Sequence, residues 1–283
     1  MRIKRETTRA TLLLVAAAVL WSLAGVFIKV IDWNPPAIAG VRSLLALPLL
    51  WAYVRRHGGV RWGWSHVAGG MAYCAVVIMF AMATRMTTAA NAIMLQYTAP
   101  IYVALFSAWF LKEKVRTRDW VAIGAALFGM ALFFFDKLTV SGFWGNVIAL
   151  VSGVAFAGLT LIMRRQKDST PIGSLLVGNI LTGVVCLPFM FQAPPQAVGD
   201  WLLLVVLGVF QLGLSYLCFA VAISHVPAVR AITITTLEPI LNPLWVFLFI
   251  GERPGTWALP GGAIVLGSVL VRAVMASREK PEP

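Results

Sequence analysis

Residues 236–254 read TLEPILNPLWVFLFIGERP. Glu238, Pro239, Asn242 and Pro243 interrupt a run otherwise apolar enough to lie in a bilayer. A charge near the centre of such a span costs about 2.5–3.5 kcal/mol on insertion scales, so their presence needs a reason. The stretch has a partner at residues 99–113, APIYVALFSAWFLKE. Pro100 and Pro239 are 139 residues apart, and so are Glu113 and Glu252. A weaker echo links residues 20–30, LWSLAGVFIKV, with residues 155–165, AFAGLTLIMRR, where Trp21 to Phe156 and Lys29 to Arg164 share an offset of 135. Two anchors at one offset point to an internal repeat, which changes how each residue is read.

The rest of the chain fits a polytopic membrane protein. It has 283 residues, 60% of them hydrophobic and 12% charged, with no polar segment long enough for a soluble domain. Ten apolar segments of about spanning length lie near residues 11–31, 36–54, 64–83, 89–111, 119–135, 143–163, 171–191, 201–223, 228–250 and 256–275. The first is preceded by Arg2, Lys4, Arg5 and Arg9 but runs to Val30 without a polar cleavage region, so it reads as a retained span. Cys74, Cys186 and Cys218 fall inside spans and far apart, which suggests neither a disulfide framework nor a metal cluster. No GxxxxGK occurs, so no nucleotide site and no cofactor is implied, and transport would draw on a gradient or on exchange.

The net charge of +12 does not indicate nucleic acid, because the basic residues are unevenly placed. With the N-terminus inside, the inner segments hold 18 of the 23 Lys and Arg residues and the outer segments hold four, leaving Arg42 within a span. That asymmetry predicts both termini in the cytoplasm and an inner face anchored against anionic lipid.

Five spans per half is an odd number, so the repeat predicts two inverted five-helix halves, residues 1–140 and 141–283, in an all-α integral membrane protein with ten transmembrane helices. The P-x(12)-E pattern ending the fourth helix of each half, followed by a Gly-containing fifth helix, resembles the EamA family of the drug/metabolite transporter superfamily, and within it the YddG-like amino-acid exporters. The resemblance implies an exporter whose cavity is formed by the first, third, fourth, sixth, eighth and ninth helices. It also directs attention away from the second helix.

Pro100, Pro239 and Pro243 each remove an amide donor and free the carbonyl four residues earlier, which makes them candidate helix breaks with a gating role. A kink that only permits close packing is the competing reading. Thr235, Glu238, Asn242 and Trp245 share one face of the ninth helix at steps of three and four. Glu238 is expected to meet a substrate amine or carry a proton, or else to hydrogen-bond neighbouring backbone. Arg42 could attract a substrate carboxylate, but pairing with Glu238 or Asp32, or snorkelling outward, is the preferred expectation.

The third helix places Tyr73 and Phe80 on one face, and the fourth places Tyr102 in line with Leu105 and Trp109, with Gln96 and Tyr97 alongside. Trp21, Phe156, Gln211 and Tyr216 add aromatic or amide groups on the first, sixth and eighth helices. Together these would suit a zwitterion with an apolar or aromatic side chain. Glu113 and Glu252 oppose the macrodipole at their helix ends and need partners, sought among Lys112, Lys114, Arg253 and the amides opening the next helix. Gly124, Gly129, Gly262 and Gly267 are expected to let the fifth and tenth helices pack closely.

These observations predict a secondary transporter of the inner membrane that exports small metabolites, amino acids first, by alternating access. Its partners are a small-molecule substrate and membrane lipid. A cationic drug exporter is the alternative. A membrane-embedded enzyme is disfavoured, because no HExxH, GxSxG or paired acidic motif occurs and His57, His66 and His225 are scattered. A purely structural or receptor-like protein would not need helix breakers at matching places in two halves.

Overall fold

Lipid offers the backbone no hydrogen-bond partners, so each apolar segment must satisfy its own amides and carbonyls as a helix. The computed structural model describes residues 2–135, 142–250 and 255–278. The side chains of several helical residues, among them Lys29, Asn242 and Pro243, lie outside the described set. Among the described residues the secondary structure is entirely helical.

The helices are α1 (Arg2–Ser22), α2 (Ala24–Val30), α3 (Pro35–Arg56), α4 (Trp64–Met86), α5 (Ala89–Gln96), α6 (Ala99–Phe110) and α7 (Thr117–Phe133). There follow α8 (Phe143–Arg165), α9 (Ile172–Met190), α10 (Val198–Val206), a π-helical segment (Leu207–Leu214), α11 (Ser215–Ile223), α12 (Ala228–Thr235), α13 (Glu238–Ile250) and α14 (Ala258–Arg278). Every apolar segment predicted from the sequence is helical. Six described segments are long and apolar enough to cross a membrane: 35–56, 64–86, 90–110, 143–165, 172–190 and 198–223. The first helix starts well before residue 11, and Leu23 divides it from α2.

Local chemistry sets the helix ends. Asn34 caps α3 by accepting from the Ala37 amide at 2.8 Å, with Pro35 at a position where no amide is needed. Thr88 caps α5 through the Asn91 amide at 3.1 Å. Asp119 accepts from the Arg116 amide at 2.9 Å in the first turn of α7, where a negative charge complements the dipole.

Pairing of helices follows a regular plan. α4 packs on α8 and α9, α3 on α9 and the π-helical segment, α1 on α11, and α5 and α6 on α8. α12 touches α1 and α6, and α7 packs along α14. Small residues permit the closest of these approaches. A Cβ on Gly129 would lie 2.9 Å from the Gly261 carbonyl oxygen, and one on Gly261 would lie 2.6 Å from the Gly129 carbonyl oxygen. Gly262 makes only ordinary contact with Phe133, and a Cβ on Gly124 or Gly267 would meet nothing within 4 Å. Of the four glycines expected to mediate the α7–α14 contact, Gly129 does so, and its partner is Gly261. The Arg272 to Asp119 pair at 2.5 Å adds a charged tie between the same helices.

Large apolar side chains cover the outside as well as the core. Leu105, Val121, Phe128, Val184 and Leu270 are all exposed, as suits a surface in lipid. Exposed aromatic residues gather near helix ends, with Trp62, Trp64 and Trp109 towards one end of the bundle and Phe143, Trp144, Phe191 and Trp257 towards the other. That distribution matches the aromatic belts of interfacial regions. The protein is therefore a multi-pass membrane protein.

Candidate functional site

The two helix breaks come first, because they set the geometry of the centre. α5 ends at Gln96 and α6 begins at Ala99, so Pro100 sits in the first turn of a new helix. There its missing amide leaves no unmet bond. α12 ends at Thr235 and α13 begins at Glu238, so Pro239 occupies the same place. The turn bonds match residue for residue: Thr98 N to Leu95 O and Ile101 N to Thr98 O in one, Leu237 N to Ile234 O and Ile240 N to Leu237 O in the other. Pro243 lies within α13, and its side chain is outside the described residues. The carbonyl of Gln96 faces Gly153 of α8, where a Cβ would come within 2.8 Å of it.

Beside these breaks lies a cavity of about 450 Å³, counting its open mouth. Of the candidate residues, Trp21, Phe80, Phe156, Gln211, Tyr216 and Glu238 line it. Ala24, Arg42, Val76, Val77, Gln96 and Leu212 complete the wall. All six helices named by the resemblance contribute, and α3 joins them through Arg42.

Aromatic rings form one side. Trp21 meets Phe156 edge-on at 5.9 Å and Tyr216 at 4.8 Å. Tyr73 and Tyr97 stand behind this layer rather than in it. The Tyr73 ring packs on Tyr216 at 4.8 Å, and its hydroxyl donates to Asn179 Oδ1 at 3.0 Å. Tyr97 packs on Phe156, and its hydroxyl donates to Glu238 Oε2. The Glu238 carboxylate is 9% exposed and held across the interface between the two breaks by a tyrosine of the other one.

Three predicted residues fall elsewhere. Thr235 is fully buried, and its hydroxyl donates to the Ile232 carbonyl at 2.9 Å. The break at Thr236 and Leu237 ends the continuous face that would have carried it beside Glu238. Trp245 donates from its indole nitrogen to Ser22 Oγ at 2.8 Å, linking α13 to α1. Tyr102 packs against the main core but does not line the cavity, and Leu105 and Trp109, expected on its face, are 55% and 81% exposed. The Asn242 side chain lies outside the described residues.

Arg42 departs most from expectation. It is 3% exposed, so it does not snorkel, and among the described residues it has no carboxylate partner. Its Nη1 donates to Gln211 Oε1 at 3.3 Å, and its Nε has no acceptor. The signal was in the sequence, as the one basic residue left inside a span. Gln211 reaches this position from the π-helical segment, and the Ser215 hydroxyl donates to the Gln211 carbonyl. Gln96 Nε2 donates to Ser152 Oγ at 2.8 Å, and Ser152 donates to the Val76 carbonyl at 3.3 Å, tying α5, α8 and α4 beside the cavity.

At one end of the bundle Glu113 finds partners far from its sequence neighbours. Arg164 Nε donates to it at 2.6 Å, and the Ala228 amide at the start of α12 donates at 3.0 Å. Arg164 Nη1 also donates to the carbonyls of Ile223 and Ser224 at 2.9 Å each. One cluster thus joins the ends of α6, α8 and α11 to the opening of α12. Glu252 and Arg253 lie outside the described residues.

Comparison with known proteins places this architecture. A crystal structure superposes with a TM-score of 0.81 at 19% identity, covering 96% of this chain and 99% of its own, so the fold is shared. The uncharacterized transporter YwfM of Bacillus subtilis (strain 168) is 26% identical over 287 residues, covering 95% of each chain. The pseudopaline exporter CntI of Pseudomonas aeruginosa is 27% identical over 198 residues, 68% of this chain and 66% of its own. A family model matches the chain twice, over residues 8–135 and again over residues 143–273. Cavity, broken helices and a model matched by both halves lead to one conclusion: the chain belongs to the EamA-like transporter family.

Proposed function

We propose that this protein exports small metabolites, amino acids with apolar or aromatic side chains first, across the cytoplasmic membrane by alternating access. The observation that carries this reading is the buried Glu238 carboxylate in an aromatic-walled central cavity. A carboxylate there suits a substrate ammonium group, and the rings of Trp21, Phe156 and Tyr216 suit its apolar side chain.

The transport cycle needs two halves that can rock against each other, and several observations support ten spans in two inverted repeats, residues 1–140 and 141–283. The family model matches each half separately. The turn bonds at residues 95–101 recur at residues 234–240. Exchanging the halves also maps the helix contacts onto one another: α4 on α8 answers α11 on α1, and α4 on α9 answers the π-helical segment on α3. Such repeats meet at a midplane substrate site.

The distribution of Lys and Arg favours both termini in the cytoplasm. On that topology the Glu113–Arg164–Ala228 cluster ties helix ends together on the cytoplasmic side. The pseudopaline exporter among the relatives favours the outward direction.

Counterflow of labelled L-phenylalanine and L-leucine into proteoliposomes tests the reading against export of cationic drugs. Amino-acid counterflow, reduced at least tenfold by Glu238→Gln, is the expected result. Counterflow of toxic cations with none of amino acids overturns it. If Glu238 also carries a proton in exchange, the residual rate of Glu238→Gln loses the pH dependence of the parent, and an unchanged profile removes that role.

A further inference from the structure

The cavity holds a second charge that this reading leaves without work. Arg42 is almost fully buried, lines the cavity, and has no carboxylate partner among the described residues. Among the described residues its one acceptor is the neutral Gln211, at the long distance of 3.3 Å, and its Nε has none. Trp21, on the aromatic wall, likewise has an indole nitrogen with no acceptor among the described residues. Buried donors are nearly always satisfied, and an arginine within a membrane span is costly unless paired. Both groups donate and cannot accept.

Glu238 supplies the opposite character in the same cavity, yet it is committed to Tyr97 and forms no ion pair with Arg42. The cavity wall therefore holds two buried donor nitrogens, Arg42 Nε and Trp21 Nε1, that have no acceptor among the described residues, and a separate carboxylate. A simple cation would answer Glu238 and leave Arg42 facing a like charge. A simple anion would answer Arg42 and face Glu238. A molecule carrying both a carboxylate and an amine answers both, and the planar guanidinium fork suits a carboxylate in particular.

We propose that Arg42 is the carboxylate anchor of the substrate site, with the Trp21 indole as a further donor, so that the transported class is zwitterionic and simple cations are rejected. This rests on the reading of the central cavity as the transport site. Rejection follows from an unpaired, desolvated arginine, the kind of penalty that gives sites built for a polar group their selectivity.

The test uses three probes that differ by one group each: L-phenylalanine, phenethylamine, which lacks the carboxylate, and 3-phenylpropionate, which lacks the amine. Against labelled L-phenylalanine counterflow in proteoliposomes, phenethylamine should compete at least tenfold more weakly than unlabelled L-phenylalanine. Arg42→Gln should bring the two to similar, weak competition, and Arg42→Lys should restore part of the difference. Equal competition by phenethylamine in the parent protein overturns the anchor while leaving transport of amino acids standing, and that comparison does not depend on any variant folding. Discrimination retained in Arg42→Gln also overturns it. Absence of counterflow with L-phenylalanine removes the amino-acid reading instead. In that case binding of 3-phenylpropionate to purified protein decides the anchor: a thermal shift lost in Arg42→Gln supports it, and no shift in the parent refutes it.

Discussion

The contact between Tyr97 and Glu238 shows how one hydroxyl can hold a carboxyl group in the interior of a membrane protein. Tyr97 is 1% exposed and caps the end of α5, while Glu238 opens α13, so the bond runs between the two helix breaks. Tyr97→Phe keeps the ring against Phe156 and removes the hydroxyl, with its bond to Glu238 and its contact with Thr235. A buried acceptor left with one fewer donor costs about 1–3 kcal/mol, so the variant should unfold at a lower temperature in detergent while retaining its fold. An unchanged midpoint would show that Glu238 is satisfied without Tyr97. The residue types were legible in the sequence, since an intramembrane glutamate among aromatics stands out. The partner was not, because Tyr97 is 141 residues away and only the meeting of the two breaks brings them together.

At the scale of elements, the outcome turns on where helices stop. Thr235, Glu238, Asn242 and Trp245 lie on one face only if the ninth segment is one helix. The turn at Thr236 and Leu237 interrupts that face, leaving Thr235 bonded to its own backbone and beside the Tyr97 hydroxyl, and Trp245 bonded to Ser22. Proline marks such a stop, but whether it kinks a helix or starts a new one depends on the turn before it. Glycine is similarly ambiguous. Gly129 and Gly261 meet across α7 and α14, whereas Gly124 faces open space. Gly129→Leu should separate the two helices and cost about 1–3 kcal/mol by overpacking, while Gly124→Leu should stay within about 0.5 kcal/mol of the parent. Thermal unfolding of the two variants side by side measures the contrast, and equal effects would mean that the α7–α14 contact contributes little.

For the whole molecule, orientation is the property that gives transport its direction. Asp168 lies in the exposed turn between α8 and α9, and Gln196 in the exposed loop between α9 and α10. On the proposed topology they face opposite sides. With Cys74, Cys186 and Cys218 replaced by alanine, a cysteine at Gln196 should react with a membrane-impermeant thiol reagent in intact cells. A cysteine at Asp168 should react only after the membrane is opened. The reverse pattern would place both termini outside and reverse the direction of export.

The sequence by itself determined the helical class, the boundaries of its apolar segments to within a few residues for most of them, the family, and the matching prolines at which helices could kink or break. Those features are written in local composition, and a bilayer leaves an apolar segment little choice but to form a helix. Tertiary structure alone decided which polar groups meet. It gave Glu113 to Arg164 and the Ala228 amide rather than to adjacent lysines, withdrew Tyr73 and Tyr97 behind the cavity wall, and brought Arg42 into it. The reason is physical: periodicity fixes the face on which a side chain lies, whereas a hydrogen bond across 51 to 169 residues depends on how the helices are rotated and broken against one another.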